Sequence, residues 1–166
     1  MSGAGEDARG KAMEKALRLL AFRARSRTEM RNRLAESGFN GEVLDDVIGR
    51  LEELRYIDDG AFAAGWARRL AVRRLYGNIR IEASLREKGV SRELIAAALE
   101  GARKELGERE RIGILVRKKI GKRPPSALDR SEKIRLARFL AGKGYRAGLI
   151  NDLFGMTEED FEHEGE

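Results

Sequence analysis

The chain has 166 residues, of which 42% are hydrophobic and 37% are charged, and its formal net charge is +6. Cysteine is absent, which excludes disulfides, thiolate metal sites and a cysteine nucleophile. No apolar run is long enough to span a bilayer, and residues 1–15 lack the apolar core of a secretory signal. We therefore expect a protein of a reducing, cytosolic compartment with no transmembrane segment.

The amino-terminal segment combines a tail with the first helix. Residues 1–10 are small or charged, and we predict a disordered tail there. A helix is predicted over residues 12–24, with an inner face that recurs at helical spacing: Ala16, Leu17, Leu20 and Ala21. Ser26 and Glu29 then have the spacing of a capping box, which predicts the start of the next helix.

Three glycines, Gly38, Gly89 and Gly144, mark an internal repeat. Each has a leucine four positions before it and an apolar residue directly after it. Apolar residues also stand five, six, nine and ten positions after every one of these glycines, which is the spacing of one helix face. We predict that each glycine ends a helix in the left-handed conformation, as part of a Schellman motif.

The residue after each glycine is predicted to join two helices. In a Schellman motif it packs against the residue five positions earlier, which gives the pairs Phe39–Leu34, Val90–Leu85 and Tyr145–Leu140. The same residue has the spacing of a hydrophobic staple with the helix that follows. Asn40 and Ser91 are good N-caps for that helix, whereas Arg146 is a poor one.

A further helix is expected before the second and third glycine-centred pairs. Asp58 is predicted to cap one that carries Phe62, Trp66 and Leu70, and Ile57 is its staple residue. The other has four apolar positions at helical spacing: Ile112, Leu115, Val116 and Ile120. The adjacent prolines Pro124 and Pro125 interrupt the third unit with a basic loop over residues 121–130.

These elements predict an all-α fold of three tandem three-helix repeats that form an elongated, curved array. The expected boundaries are 11–57, 58–106 and 107–157, followed by an acidic tail over residues 158–166. Each repeat is too small to bury a large core alone, so we expect stacking of neighbouring repeats to supply the stability.

Catalytic constellations are not found in the sequence. His163, the one histidine, stands among glutamates in the acidic tail, where we expect it to be solvated. Asp58 and Asp59 could suggest a metal site, but a helix start is the better interpretation because negative charge is favoured there. We expect no enzyme, with no catalytic, metal-binding or cofactor-binding residues and no cofactor.

Aromatic residues among arginines leave two interpretations open. Trp66 and Tyr76 lie on or beside the helix that carries Arg68, Arg69, Arg73 and Arg74, and such aromatics can stack nucleic-acid bases. Trp66 shares a helical face with Phe62 and Leu70, which favours a place in the core. Tyr76 is consistent with either role.

The positive charge is concentrated in one segment. Residues 109–148 carry 13 basic and 3 acidic side chains, whereas residues 149–166 carry 7 acidic and no basic ones. Such residues can neutralise phosphates or meet an acidic protein surface. The candidate contact residues for a partner or for DNA are Arg68, Arg69, Arg73, Arg74, Arg80, Arg117, Lys118, Lys119, Lys122, Arg123 and Arg130.

Sequence-specific reading of duplex DNA is not expected. A recognition helix presents polar residues to the bases from its first turns, where negative charge is unfavourable. The helices that follow the first two glycines carry acidic residues there instead: Glu42, Asp45 and Glu93.

Three segments resemble the RecX family of regulatory proteins. They are Arg23–Met30 with Leu34 and Gly38–Phe39, then Leu54–Ala63, then Gly77–Ile81 continuing to Leu85 and Lys88–Val90. Together they cover residues 16–100, and residues beyond 100 match the family in pattern more than in identity.

The resemblance implies three tandem three-helix repeats and a role in regulating the RecA recombinase. RecX proteins bind in the groove of the RecA filament on single-stranded DNA and inhibit ATP hydrolysis, filament growth and strand exchange. They act in homologous recombination, DNA repair and the SOS response in the bacterial cytoplasm. The family implies no cofactor and no membrane partner, and we expect a monomer. A stand-alone nonspecific DNA-binding protein, with weak direct binding to single- or double-stranded DNA, stays open as the alternative.

Overall fold

The computed structural model describes residues 3–155, and within that range it contains α-helices and no strand. The helices are α1 Gly3–Phe22, α2 Arg27–Glu36, α3 Gly41–Glu53, α4 Asp59–Arg68, α5 Asn78–Glu87, α6 Arg92–Glu105, α7 Glu108–Ile120, α8 Arg130–Gly142 and α9 Ala147–Phe154. A π-helical segment, Arg69–Arg73, continues α4, and a 3-10 turn, Pro125–Ala127, lies in the proline loop. The all-α fold class is confirmed.

Each of the three predicted glycine corners is present. Gly38, Gly89 and Gly144 have φ angles of 91°, 73° and 92°, which lie in the left-handed region. The amides of Phe39, Val90 and Tyr145 donate to the carbonyls of Leu34, Leu85 and Leu140, each at 3.2 Å. These are the long-range bonds of a Schellman motif, so the prediction from glycine spacing is confirmed at all three positions.

The predicted caps form at Ser26, Asp58 and Ser91, whereas the Asn40 side chain makes no cap hydrogen bond, so that prediction was wrong. Asp59 adds a cap that was not expected. Ser26 and Glu29 form a complete capping box at the start of α2. The Oδ1 atom of Asp58 accepts from the amide of Ala61 at 2.9 Å, inside α4. Asp59 Oδ1 instead accepts from the amide of Arg27 at 2.7 Å, at the start of α2. Both carboxylates therefore satisfy helix-start amides, which explains the acidic pair without a metal.

The prediction for the first helix was wrong in two respects. α1 begins at Gly3, so residues 3–10 of the expected disordered tail are helical, and Asp7 there pairs with Lys11 one turn later. Its buried residues are Ala12 and Ala16, whereas Leu17 is 40% exposed. Small alanines let α1 pack closely on α3, and this contact turns Leu17 and Ala21 towards solvent.

Two compact units make up the described chain. The amino-terminal unit comprises residues 3–66 with 85–98, and the carboxy-terminal unit comprises residues 67–84 with 99–155. The first has a core built on Met30, Leu34, Ile48 and Leu51. The second has a core built from the following buried residues: Ile112, Leu115, Val116, Leu128, Leu136, Leu140, Tyr145, Ile150 and Phe154.

The units cut across the predicted repeats because the corners at Gly89 and Gly144 each dock on the preceding repeat. In the amino-terminal unit, Ser26 Oγ donates to the carbonyl of Lys88 at 2.5 Å. In the carboxy-terminal unit, the amide of Gly77 donates to the carbonyl of Lys143 at 2.9 Å. Both donors stand twelve residues before their own corner glycine, and both acceptors directly precede the next one. The same docking contact is thus made twice.

Candidate basic and aromatic interface

All eleven predicted contact residues lie in the carboxy-terminal unit, but two of them are already engaged in ion pairs. Arg68 binds Glu105 through two hydrogen bonds of 2.6 and 2.8 Å. Arg123 binds Glu132 at 3.0 and 2.9 Å, and this guanidinium lowers the pKa of the Glu132 carboxyl. The positive charges of these two arginines are therefore compensated by Glu105 and Glu132.

Other predicted residues are exposed and lack an ion pair within residues 3–155: Arg73, Arg74, Arg80, Arg117, Lys118, Lys119, Lys122 and Arg130. Arg117, Lys118 and Lys119 form the last turn of α7, where positive charge is favoured by the helix dipole. Arg69 is exposed and makes an interaction of its own. The structure therefore places a group of uncompensated cations at the end of α7 and in the loop after it.

Five residues of this unit form a continuous row of alternating cations and rings, here named the basic–aromatic strip: Arg80, Tyr76, Lys143, Phe139 and Lys119. The Arg80 Cζ atom lies 4.1 Å from the centroid of the Tyr76 ring. Lys143 Nζ lies 5.3 Å from the Tyr76 centroid and 5.4 Å from that of Phe139. Lys119 Nζ lies 4.3 Å from the Phe139 centroid. Tyr76 and Phe139 are only partly buried, so their free edges can meet a ligand.

The amino-terminal unit has a matching corner in which the lysine is paired with a carboxylate. Lys88, which corresponds to Lys143, lies 4.4 Å from the Trp66 ring and 3.0 Å from Glu29 Oε1. Glu29 also accepts two hydrogen bonds from Arg23 and one from the amide of Ser26. Burial alone would raise the pKa of Glu29, but these bonds and the one from Lys88 outweigh it and lower the pKa to about 2.

One position inverts the charge between the two corners. Glu29 stands nine residues before Gly38, and Arg80 stands nine residues before Gly89. In the amino-terminal unit this position neutralises the corner lysine, whereas in the carboxy-terminal unit it adds a second cation. Arg80 donates to the carbonyl of Gly142 at 3.0 Å instead of binding an anion. The docked corner at Gly144 thus resembles the docked corner at Gly89, but its positive charge has no carboxylate partner within residues 3–155.

The strip is held in place by a buried arginine that sequence reasoning missed. Arg111 on α7 is fully buried and donates to the carbonyl of Tyr76 and to Asn78 Oδ1. Glu108 accepts from the amide of Asn78 at 2.7 Å. Burial lowers the pKa of Arg111, and the nearby Tyr145 and Glu108 act against that shift. The link 76–78 is therefore fixed from one side by α7 and from the other by the Gly144 corner.

Lys143 and Phe139 were also missing from the sequence prediction. A signal was present, because Lys88 and Lys143 both directly precede a corner glycine, and aligning the repeats places them together. The role of Tyr76, which the sequence left open, is that of a partly buried ring between two cations.

Clusters of metal-ligating side chains and membrane-spanning helices are not found within residues 3–155. Residues 3–155 hold no group of three or more histidine, cysteine, aspartate or glutamate side chains that could bind a metal ion. Among the same residues, no helix has the length and apolar character needed to cross a membrane. His163 and the predicted acidic tail lie outside the described residues, as do residues 1 and 2 of the predicted amino-terminal tail.

Comparison with known proteins identifies the family. Residues 12–51 match the model of the first three-helix domain of RecX, and residues 58–99 match that of the second. A "Regulatory protein RecX" from Mycobacterium sp. strain JLS is 37% identical over 144 residues, which cover 82% of this chain and 76% of the relative. The chain belongs to the RecX family.

Other relatives and two solved structures agree with this assignment. RecX regulatory proteins from Chlorobaculum tepidum and Thermus thermophilus are 33% and 32% identical, over 84% and 91% of this chain and 84% and 95% of their own lengths. The RecX crystal structure from Lactobacillus salivarius has a TM-score of 0.76 at 21% identity, covering 90% of this RecX-family chain and 96% of the other. A second RecX crystal structure has a TM-score of 0.75 at 24% identity and covers 92% of this chain and 73% of the other. The structural likeness extends the shared fold beyond the two matched domains. The boundaries 11–57, 58–106 and 107–157 stay a prediction.

Proposed function

We propose that this chain is a regulator of the RecA recombinase that binds the RecA filament on single-stranded DNA. Bound there, it inhibits ATP hydrolysis, filament growth and strand exchange. Its relatives carry the name of regulatory proteins, which supports regulation over catalysis. It acts as a monomer in the bacterial cytoplasm, in recombination, DNA repair and the SOS response, and it needs no cofactor.

The observation that carries the proposal is the charge inversion between the two corners. If the corners served only to join repeats, a balanced pair such as Glu29 with Lys88 would suffice in both. Arg80 instead leaves Lys143 without a carboxylate partner within residues 3–155. Two neighbouring cations that repel each other cost stability unless an anion joins them. A filament groove offers such anions as DNA phosphates and acidic side chains.

The basic–aromatic strip is the proposed contact surface, supported by the exposed cations at the end of α7. A cation that rests on an aromatic ring has less freedom to lose when it meets an anion, so binding orders it at lower entropic cost. Partly buried rings add stacking surface for unpaired bases, which tolerate any sequence. The proposed contact residues are the eleven predicted from the sequence, together with Lys143.

A stand-alone nonspecific DNA-binding protein is the alternative, since the same cations can neutralise phosphates without RecA. A salt titration separates the two. Binding to naked single-stranded DNA should be lost as salt rises, because counterion release supplies most of its free energy. Binding to preformed RecA filaments should persist at that salt, because protein contacts contribute. Equal salt sensitivity for naked DNA and filaments would favour the alternative.

Reversing two strip charges should weaken filament binding by at least about tenfold near 0.1 M salt. The variant is Lys119→Glu with Lys143→Glu, and its affinity is measured by fluorescence anisotropy on labelled filaments. Each lost phosphate contact also lowers the salt slope by about one.

The matched control makes the same change in net charge in the same unit, at two residues that are not part of the strip. It is Lys104→Glu with Arg146→Glu, both exposed residues. We expect less than about a threefold effect on filament affinity, and thermal melts should show that both variants are folded. Equal losses in the two variants would mean that net charge, and not the strip, governs binding.

A further inference from the structure

A groove lies on the carboxy-terminal unit beside the strip, between α7 and α8. It has a volume of about 360 Å³ and an apolar lining of Ile120, Leu128, Leu136 and Phe139. Lys119, Arg135 and Glu132 also line it. Glu132 is bound to Arg123 and to the amide of Asp129 and also feels the charge of Arg135, so the two cations of the lining, Lys119 and Arg135, outnumber its one carboxylate. The groove therefore suits an apolar side chain that is flanked by carboxylates.

The sequence contains one segment with that chemistry, which is residues 156–166. It has a single aromatic residue, Phe161, and its closest acidic neighbours are Glu158, Glu159, Asp160 and Glu162. No basic residue other than His163 occurs in it. An aromatic ring between carboxylates matches a groove lined by apolar side chains and two cations, both in polarity and in charge.

The segment also starts close enough to reach the groove. α9 ends at Phe154 and packs against the 3-10 turn Pro125–Ala127, which directly precedes the groove residue Leu128. Phe154 and Leu128 belong to the same buried cluster. Six residues lead from Gly155 to Phe161, and a chain of that length spans up to about 20 Å.

We propose that residues 156–166 dock in this groove of their own chain, with Phe161 between Ile120 and Leu136 and the carboxylates at Lys119 and Arg135. Lys119 belongs to both the groove and the basic–aromatic strip, so the docked segment competes with any polyanion that approaches the strip. The acidic segment is a built-in competitor that limits nonspecific binding. The docking itself does not depend on RecA, whereas the competition bears on the contact surface proposed above.

Site-specific photocrosslinking in the full chain tests the docking directly. Phe161 is replaced by p-benzoyl-phenylalanine, which keeps an aromatic group, and the crosslinked residues are mapped by mass spectrometry at low protein concentration. We expect crosslinks within one chain to residues 119–139. Introducing Arg135→Glu with Lys119→Glu should reduce their yield at least fivefold, whereas Lys104→Glu with Arg146→Glu should leave the yield unchanged.

Three results of the crosslinking would overturn the docking. They are crosslinks to other parts of the chain, crosslinks to the groove of a second copy, and a yield that charge reversal at the groove does not change. An acidic peptide from a partner protein as the true occupant would appear as the third result. None of these outcomes bears on filament binding, which is measured separately.

Neutralising the segment tests the competition. The full-length variant carries Glu158→Gln, Glu159→Gln, Asp160→Asn and Glu162→Gln, and its affinity for labelled oligodeoxythymidine is measured at low salt. We expect binding to strengthen about three- to tenfold, and the gain should disappear when Lys119→Glu and Lys143→Glu are added. An unchanged affinity, or a gain that survives the strip reversal, would overturn the competition.

Discussion

Replacing Glu29 by Gln should lower the free energy of unfolding at pH 7 by roughly 3 kcal/mol. The Glu29 side chain is only 16% exposed and binds Arg23, Lys88 and the Ser26 amide, which together bring its pKa from 4.5 to about 2. Glutamine keeps the shape but removes the charge, and two partly buried cations then lose their anion. A pKa change of this size corresponds to roughly 3 kcal/mol of folding free energy. Urea unfolding followed by circular dichroism measures the change.

The pH dependence of the stability that Glu29 contributes follows from the direction of its pKa shift. A depressed carboxyl pKa stabilises the folded state above the unfolded pKa near 4.5, and the contribution is lost as pH falls towards about 2. The free energy of unfolding of the wild-type chain should therefore decrease as pH falls from 4.5 to about 2. That of the Glu29→Gln variant should decrease less over the same range.

Glu36→Gln is the matched control for this prediction, because Glu36 makes an exposed pair with Arg33. It should cost less than about 0.5 kcal/mol. If Glu29→Gln were as mild as this control, the network around Glu29 would contribute little to stability.

Replacing Gly77 by Ala should cost about 3 kcal/mol, although only one methyl group is added. A Cβ atom at this position would lie 2.2 Å from the carbonyl oxygen of Gly144 and 2.5 Å from the amide nitrogen of Tyr145. Both neighbours are backbone, so neither can rotate away, and the docked corner must separate. The bonds from the Gly77 amide to Lys143 and from the Ile79 amide to Gly144 would then weaken.

Gly101→Ala makes the same chemical change in the same unit without a clash. Gly101 lies inside α6, and nothing would come within 4 Å of an added Cβ atom. Alanine has the higher helix propensity, so this variant should be more stable by about 0.5–1 kcal/mol. Changes of opposite sign in the free energy of unfolding of the two variants, measured by urea unfolding, would support the corner docking. A neutral Gly77→Ala variant would mean that Gly77 and Gly144 do not approach this closely.

The glycine corners could be predicted from sequence because their signal is local. Gly38, Gly89 and Gly144 each lie within six residues of the groups that they bring together. Residue spacing over so short a range predicts the local structure directly. The buried face of α1 could not be read as reliably. Alternative helical stripes through Ala12–Ala21 satisfy the same spacing, and the packing partner, α3, selects between them.

The docking of the corners and the basic–aromatic strip could not be predicted from the sequence. The contacts at the docked corners join residues more than sixty positions apart through backbone carbonyls, which any residue carries. Ser26 donates with its side chain and Gly77 with its amide, so the two equivalent contacts share no residue type. The strip depends on this docking, because only the Gly144 corner brings Lys143 to Tyr76. Composition located the basic unit, whereas packing decided which cations lie together.

The ATPase activity of RecA on single-stranded DNA tests the central claim most directly. The chain is added at increasing concentration, at a salt concentration that abolishes its binding to naked DNA. We expect the ATPase rate to fall to a low plateau with the wild-type chain and with Lys104→Glu/Arg146→Glu. Lys119→Glu/Lys143→Glu should need at least about ten times more protein for the same inhibition. An ATPase rate that stays unchanged at saturating wild-type protein would contradict the proposal that this RecX-family chain regulates RecA through its filament.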